Sequence, residues 1–326
     1  MNALYLSFLF FLNISSITAQ QIFSRSMTLM GSGFEITVVA ENQQQANHYI
    51  DMAVAEIVRI ERLISSWDPK SETSEVNRNA GVAAVTVSPE LFSLIERAIA
   101  ISKITQGAFD ISYASMDKIW TFDGRMTQMP DQELIRQNVA RVGFEKVVLN
   151  AAENSVFLKE KGMKIGFGGI GKGYAADKAS TLLAANGVAS GIINASGDMR
   201  AWGTKPDGAP WMVGIVNPMD KSKVFSWFPI HDGAVVTSGD YEKFALIDGV
   251  RYGHIINPKT GMPGHELISS TVMAPKAELA DALATSLFVM GIEAGLDMID
   301  QLAGIECVLV DSKQNIYSSK NIKLTP

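Results

Sequence analysis

The sequence predicts an α+β fold: a single domain with a mixed sheet core and flanking helices. Three observations point there. Helix-spaced apolar residues mark the first third of the chain, short strand-like runs dominate from residue 146 onward, and no linker, internal repeat or low-complexity tract separates the two regions. With 326 residues, 47% of them apolar, the chain can bury a substantial core and is not a disordered segment.

Taken in order, residues 3–12 (ALYLSFLFFL) form an apolar run of signal-peptide length, followed by small and polar residues up to Ala19, which suits the position before a cleavage site. No Lys or Arg precedes the run, and an uncleaved anchor is the other reading, although a span needs about 20 apolar residues. The expectation is a signal peptide over residues 1–19 and an exported, soluble, periplasmic domain over residues 20–326. The only cysteine is Cys307, so lipid attachment near residue 19, an internal disulfide and a thiolate metal cluster are all excluded. A net charge of −6 without a run of Lys or Arg gives no footprint for nucleic acid or anionic lipid.

Residues 33–40 (GFEITVVA) alternate like a strand, and Ala46, Tyr49, Ile50, Ala53, Ile57, Ile60 and Ile64 then recur at helical spacing. Residues 65–80 are polar and read as an exposed loop. Ser88, Pro89 and Glu90 supply an N-cap, a first-turn proline and a first-turn acid for a helix running to about Ile104. From residue 146 the runs KVVL, SVFL, MKIGF, GIINA and WMVGIV read as short strands, with one helix beginning near Tyr174. Residues 279–290 and 292–302 read as helices separated by Gly291, followed by a strand over residues 305–310.

The segment GFGGIGKG at 166–173 follows a predicted strand and precedes a predicted helix, the context in which backbone N–H groups cradle phosphate. It nearly matches GxxxxGK[ST], but Gly173 stands where a P-loop needs a metal-binding hydroxyl, and the spacing GxGxxG is incomplete. A glycine-rich tight turn is the alternative. In residues 280–290, almost wholly apolar, Asp281, Thr285 and Ser286 are the exceptions. The i, i+4 spacing of Asp281 and Thr285 puts a carboxylate and a hydroxyl on one helix face, about 5–6 Å apart at Cβ, a pairing suited to one hard cation. A buried carboxylate can instead be met by a lysine or a helix N-terminus, and Thr285 can bond its own helix carbonyl.

These segments resemble the ApbE family of FAD:protein FMN transferases over most of the chain after residue 19. Met30, Gly31 and Ser32 resemble the family's MGT opening; Ile64 and Ser65 with Ser71, Glu72, Thr73 and Asn77 resemble LSxxxxxSE(I/V)xxxN; GAFD at 107–110 matches. GIGKGYAAD at 169–177 resembles GIAKGYAVD, NASGD at 194–198 resembles NxGGD, and TSGDYE at 237–242 and HIINPKTG at 254–261 follow before the helix of Asp281. Gly166 replaces a frequent Asp, and Asn257 replaces the Asp of HxIDP, where a carboxylate would tune His254.

The resemblance implies an α+β fold related to the tunnelling T-fold, with FAD as substrate and Mg²⁺ as cofactor. It implies transfer of FMN to a Ser or Thr hydroxyl of an exported or membrane-associated acceptor flavoprotein, with AMP leaving. By matching positions, Asp281 and Thr285 hold Mg²⁺ by side chain and Gly169 by its carbonyl, while Met30, Trp67, Ala108, Phe109, Asp110, Lys172 and Ile256 line the FAD site. His254, in the matching turn, is the expected base. The competing expectations are a Mg²⁺-dependent FAD pyrophosphatase giving FMN and AMP, a non-catalytic exported flavin-binding protein and, last, a P-loop NTPase.

Overall fold

A computed structural model describes residues 20–218, 220–240 and 244–322 of the chain. The expected signal peptide lies outside the described residues, as do Tyr241 and Glu242. In chain order the first half contains β1 (Gln21–Leu29), β2 (Ser32–Ala40), α1 (Gln43–Ile64), α2 (Glu72–Arg78), β3 (Val85–Thr86), α3 (Pro89–Ile104), α4 (Gln132–Asn138), β4 (Val147–Asn150) and β5 (Ser155–Leu158). The second half contains α5 (Gly171–Ala185), β6 (Gly191–Ala195), β7 (Asp198–Trp202), β8 (Trp211–Asn217), β9 (Asp220–Ile230), β10 (Asp232–Gly239), β11 (Phe244–Ile247) and β12 (Val250–Gly253). It ends with β13 (Leu267–Ala274), α6 (Ala277–Met290), α7 (Ile292–Ile299), β14 (Glu306–Asp311) and β15 (Ile316–Ser318).

Eight strands make the main sheet in the order β1-β2-β6-β7-β10-β13-β14-β15. The α+β class with flanking helices is as expected, and the strand pairings narrow the expected mixed sheet, because all of them run antiparallel. Antiparallel neighbours need only short connections, so the helices are free to gather on one face rather than serve as crossovers. There α1, α5 and α6 lie side by side, with Ile36, Ile57, Ala176, Val236, Leu283 and Leu309 among the fully buried residues of one core.

Local chemistry explains the helix boundaries. Asn42 accepts from the Gln45 N–H at 2.9 Å to start α1, whose apolar stripe buries Ala46, Ile50, Ala53, Ile57, Ile60 and Ile64. Ser88 caps α3 as expected. Two expectations need correction. The stretch read as an exposed loop folds as α2, because Ser71 caps it and Thr73, Ser74 and Val76 turn inward, a buried face concealed by polar composition. The run MKIGF at 163–167 is buried at Met163, Ile165 and Phe167 but is not a strand. Side chains take the place of a partner strand: Asn77 donates to the Ile165 carbonyl at 3.0 Å and accepts from its N–H at 2.8 Å, and Ser115 does the same for Lys164 at 2.9 and 2.8 Å.

A second, smaller cluster of Trp120, Ile135, Ala245 and Ile247 holds the β11–β12 hairpin. The longer β8–β9 hairpin inserts Trp211 against Val39 and Ala201.

Candidate active site

The first turns of α5 and α6 meet closely enough that a Cβ on Gly173 would stand 2.2 Å from the Ala277 carbonyl oxygen. This accounts for the missing P-loop hydroxyl: no side chain fits at residue 173. The two helices then cap one another. The Gly173 N–H donates to Asp281 Oδ2 at 3.1 Å, while Asp177 accepts from the N–H groups of Ala277 at 3.1 Å and Glu278 at 2.9 Å. Lys276, at the N-cap position of α6, contributes no side-chain bond, so Asp177 supplies the cap from the neighbouring helix. Arg200 lies 3.3 Å from Asp177 and ties this corner to β7.

Asp281 is 4% exposed and Asp198, at the start of β7, is 2% exposed. Lys172 Nζ lies 2.5 Å from Asp198 Oδ2. Burial pushes the Asp281 carboxyl up to about 8, with the Asp198 charge adding to the rise and Lys172 and the Gly173 N–H opposing it. Burial also raises Asp198, against the pull of Lys172. Of the structural partners anticipated for Asp281, the helix N-terminus donates to it directly, while Lys172 pairs with Asp198 and acts on Asp281 through its charge. Were both carboxylates ionised, their charges would call for more than the one ammonium of Lys172.

Thr285, one turn further along α6, faces the glycine segment: a Cβ on Gly169 would be 3.1 Å from Thr285 Oγ1 and 3.5 Å from the Phe109 ring. The structure therefore brings Gly169, Asp281 and Thr285 together, with oxygen donors only, a set that suits a hard cation such as Mg²⁺. Among the described residues no group of three or more His, Cys, Asp or Glu side chains forms a metal cluster elsewhere.

A cavity of about 680 Å³ opens beside this corner. Of the residues expected at the site, Ala108, Phe109, Asp110, Gly169, Lys172, His254, Ile256, Asp281 and Thr285 all line it. Met30 and Trp67 do not. Met30 sits in the β1–β2 turn at φ 51° and packs toward Gly171, leaving Gly31 and Ser32 on the cavity wall. Trp67 is 81% exposed, with the Lys118 ammonium 5.0 Å from its ring centroid. Asp110 is partly committed to the fold, since its Oδ1 accepts from the Ser112 N–H at 2.8 Å and hydroxyl at 2.6 Å.

Asp198, Ser196, Tyr113 and residues 237–239 also line the cavity without having been assigned a role from sequence. Two family-like segments carried a signal for them, TSGDYE for residues 237–239 and NASGD for Ser196 and Asp198. NASGD forms a two-residue hairpin turn with Ser196 at φ 58° and Gly197 at φ 100°, fastened by Asn194 Oδ1 accepting from the Gly197 N–H at 2.9 Å, and it delivers Asp198 to Lys172.

His254 also lines the cavity, exposed, just after β12. Hydrogen bonds from the Gly253 N–H to the Gly264 carbonyl and from the Gly264 N–H to the Ile255 carbonyl, both 2.9 Å, bracket it. Asn257 Oδ1 accepts from the N–H groups of Lys259 at 2.9 Å and Thr260 at 3.3 Å, closing its own turn.

The model of the ApbE family matches residues 30–309. The FAD:protein FMN transferase of Treponema pallidum (strain Nichols) is 30% identical over 319 residues, covering 92% of this chain and 87% of that protein. The ApbE protein of Thermotoga maritima superposes with a TM-score of 0.83 at 30% identity, covering 92% and 97%. The apo flavinyl transferase ApbE of Pseudomonas stutzeri superposes at 0.81 with 25% identity, covering 92% and 95%. With the family model spanning most of the chain and the same fold in solved relatives, this protein belongs to the ApbE family of enzymes.

Proposed function

We propose that the protein transfers FMN from FAD to a Ser or Thr hydroxyl of an exported or membrane-associated acceptor protein, releasing AMP, with Mg²⁺ as cofactor. The observation that carries the reading is the oxygen-lined corner of Asp281, Thr285 and Gly169 beside Lys172, in one cavity that His254 also lines. Its relatives' transferase names support the same chemistry.

A Mg²⁺ ion held by Asp281, Thr285 and the Gly169 carbonyl would neutralise charge on the pyrophosphate. The chain's own groups do the rest. Lys172 adds a second positive charge at the leaving phosphate, and Phe109 and Ile256 offer apolar surface to the flavin or adenine. His254 takes the acceptor's proton as its oxygen bonds to the FMN phosphorus; the pyrophosphate P–O bond breaks and AMP carries away the electron pair. His254 is exposed, as a base must be when its substrate is a residue of another protein. Export through cleavage near residue 19, leaving a domain over residues 20–326, completes the proposal.

The deciding experiment incubates the protein with FAD, Mg²⁺ and co-expressed exported proteins and follows the acceptors by mass spectrometry. An FMN adduct on Ser or Thr with equimolar AMP is expected. Rapid AMP release without any acceptor would establish a pyrophosphatase instead.

A further inference from the structure

Asp240 follows Gly239, a residue of the cavity wall, yet is itself 2% exposed. Its Oδ2 lies 3.3 Å from Arg251 Nε, and Arg251 Nη2 donates to the Asp240 carbonyl at 2.9 Å. The Arg251 guanidinium covers the Phe244 ring at 3.9 Å. Gly253 packs directly on the acid: a Cβ there would stand 2.7 Å from Asp240 Cβ and 3.5 Å from Oδ2. The end of β10 and both strands of the β11–β12 hairpin are thus drawn together around one carboxylate.

The arrangement is costly for stability alone. Asp240 Oδ1 is buried with no hydrogen-bond partner among the described residues, and burial pushes this carboxyl up to about 6 despite Arg251. A two-stranded hairpin holds its own geometry poorly, and among the described residues β11–β12 joins no other strand. Its last residue, Gly253, leads straight into His254.

We propose that Asp240 is a positioning residue: through Arg251 and its packing on Gly253 it fixes the direction in which His254 is presented to the cavity. The inference rests on His254 being the base of the proposed reaction. The carboxylate sets the hairpin's register against the end of β10, and Arg251 carries that register to the strand that bears the histidine. The FAD-facing wall made by α5 and α6 is not involved.

Asp240→Asn keeps the shape and removes the charge. The expected result is a kcat for FMN transfer lowered roughly tenfold to a hundredfold, as an ångström-scale misplacement produces, with KM for FAD within about twofold. Arg251→Met gives the same loss, and the double variant loses no more than either single one. The imidazole proton resonance of His254, identified by its absence in His254→Ala, shifts in both single variants, whereas those of His48 and His231 stay in place. His265 is no reference, because its ring lies 5.7 Å from Tyr252 of the same hairpin. An unmoved His254 resonance overturns the proposal, whether or not kcat falls. A shifted resonance in a protein whose His254→Ala variant transfers FMN at full rate supports the positioning role and removes His254 as base. If Asp240→Asn fails to fold, Arg251→Met carries the same readings.

Discussion

The two walls of the cavity are built to different standards. The wall made by α5 and α6 belongs to the main core, its carboxylates buried and its helices capping one another. The facing wall hangs on the small cluster of Trp120, Ile135, Ala245 and Ile247, with the Trp120 Nε1–H bonded to the Gly261 carbonyl at 3.0 Å, and it leaves His254, Lys259 and Thr260 exposed. The difference separates two tasks. On the proposed mechanism, charge set against a phosphate sits in the packed core, and the proton acceptor for a visiting hydroxyl sits on exposed chain that another protein can reach.

Perturbing the rigid wall should have the largest effect. Asp281→Asn is expected to lower Mg²⁺-dependent FMN transfer by at least about a hundredfold and to abolish the rise in Tm on adding Mg²⁺. A folded Asn variant with normal transfer would break the assignment of this wall. Perturbing the exposed wall should act on turnover alone: His254→Ala lowers kcat by about 10²–10⁴ while FAD still quenches and binds as in the wild type. Unchanged turnover would move the base elsewhere.

The pH dependence sharpens the contrast further. The Asp281 carboxyl is raised in the fold to about 8, against about 3.9 in the unfolded chain. The folded protein therefore keeps a proton that the unfolded chain has lost. That stabilisation is complete below about pH 4 and declines as pH rises towards 8. Thermal melts of the metal-free protein between pH 6 and 8 should show this decline, and Asp281→Asn should flatten it. A smaller loss is expected for Asp177→Ala, which removes the cap of α6: about 1–2 kcal/mol, or roughly 2–4 °C in Tm per kcal/mol. Smallest of all, Trp67→Ala, which removes a ring standing off the cavity wall, should change stability by less than about 0.5 kcal/mol and leave FAD affinity unaltered. A several-fold loss of FAD affinity in titrations of this variant would return Trp67 to the site.

The parts of the site legible in the sequence are those encoded by local spacing. Asp281 and Thr285 share a helix face because they are four residues apart, and the glycine segment announces a turn before a helix. Contacts between distant segments left no such mark. Nothing around Asp177 says that it caps a helix beginning a hundred residues later, and nothing around Asn77 says that its amide replaces a strand for residue 165. Met30 and Trp67 illustrate the opposite limit, in which a matching motif places a segment near the cavity but not the side chain on its wall. Gly173 shows how a departure from a motif becomes intelligible only in three dimensions, as the residue that lets two helices touch.

The cavity is lined by residues from Gly31 in the first hairpin to Thr285 in α6. A chain emerging from synthesis or from a translocation channel consequently owns no flavin site until almost all of it has emerged, because the first hairpin must wait for strands and a helix contributed far later. Such long-range pairing slows folding, and a ligand that recognises only the finished cavity withdraws molecules from the unfolded pool in proportion to its concentration over Kd. FAD at the site of maturation would then act as a folding ligand as well as a substrate.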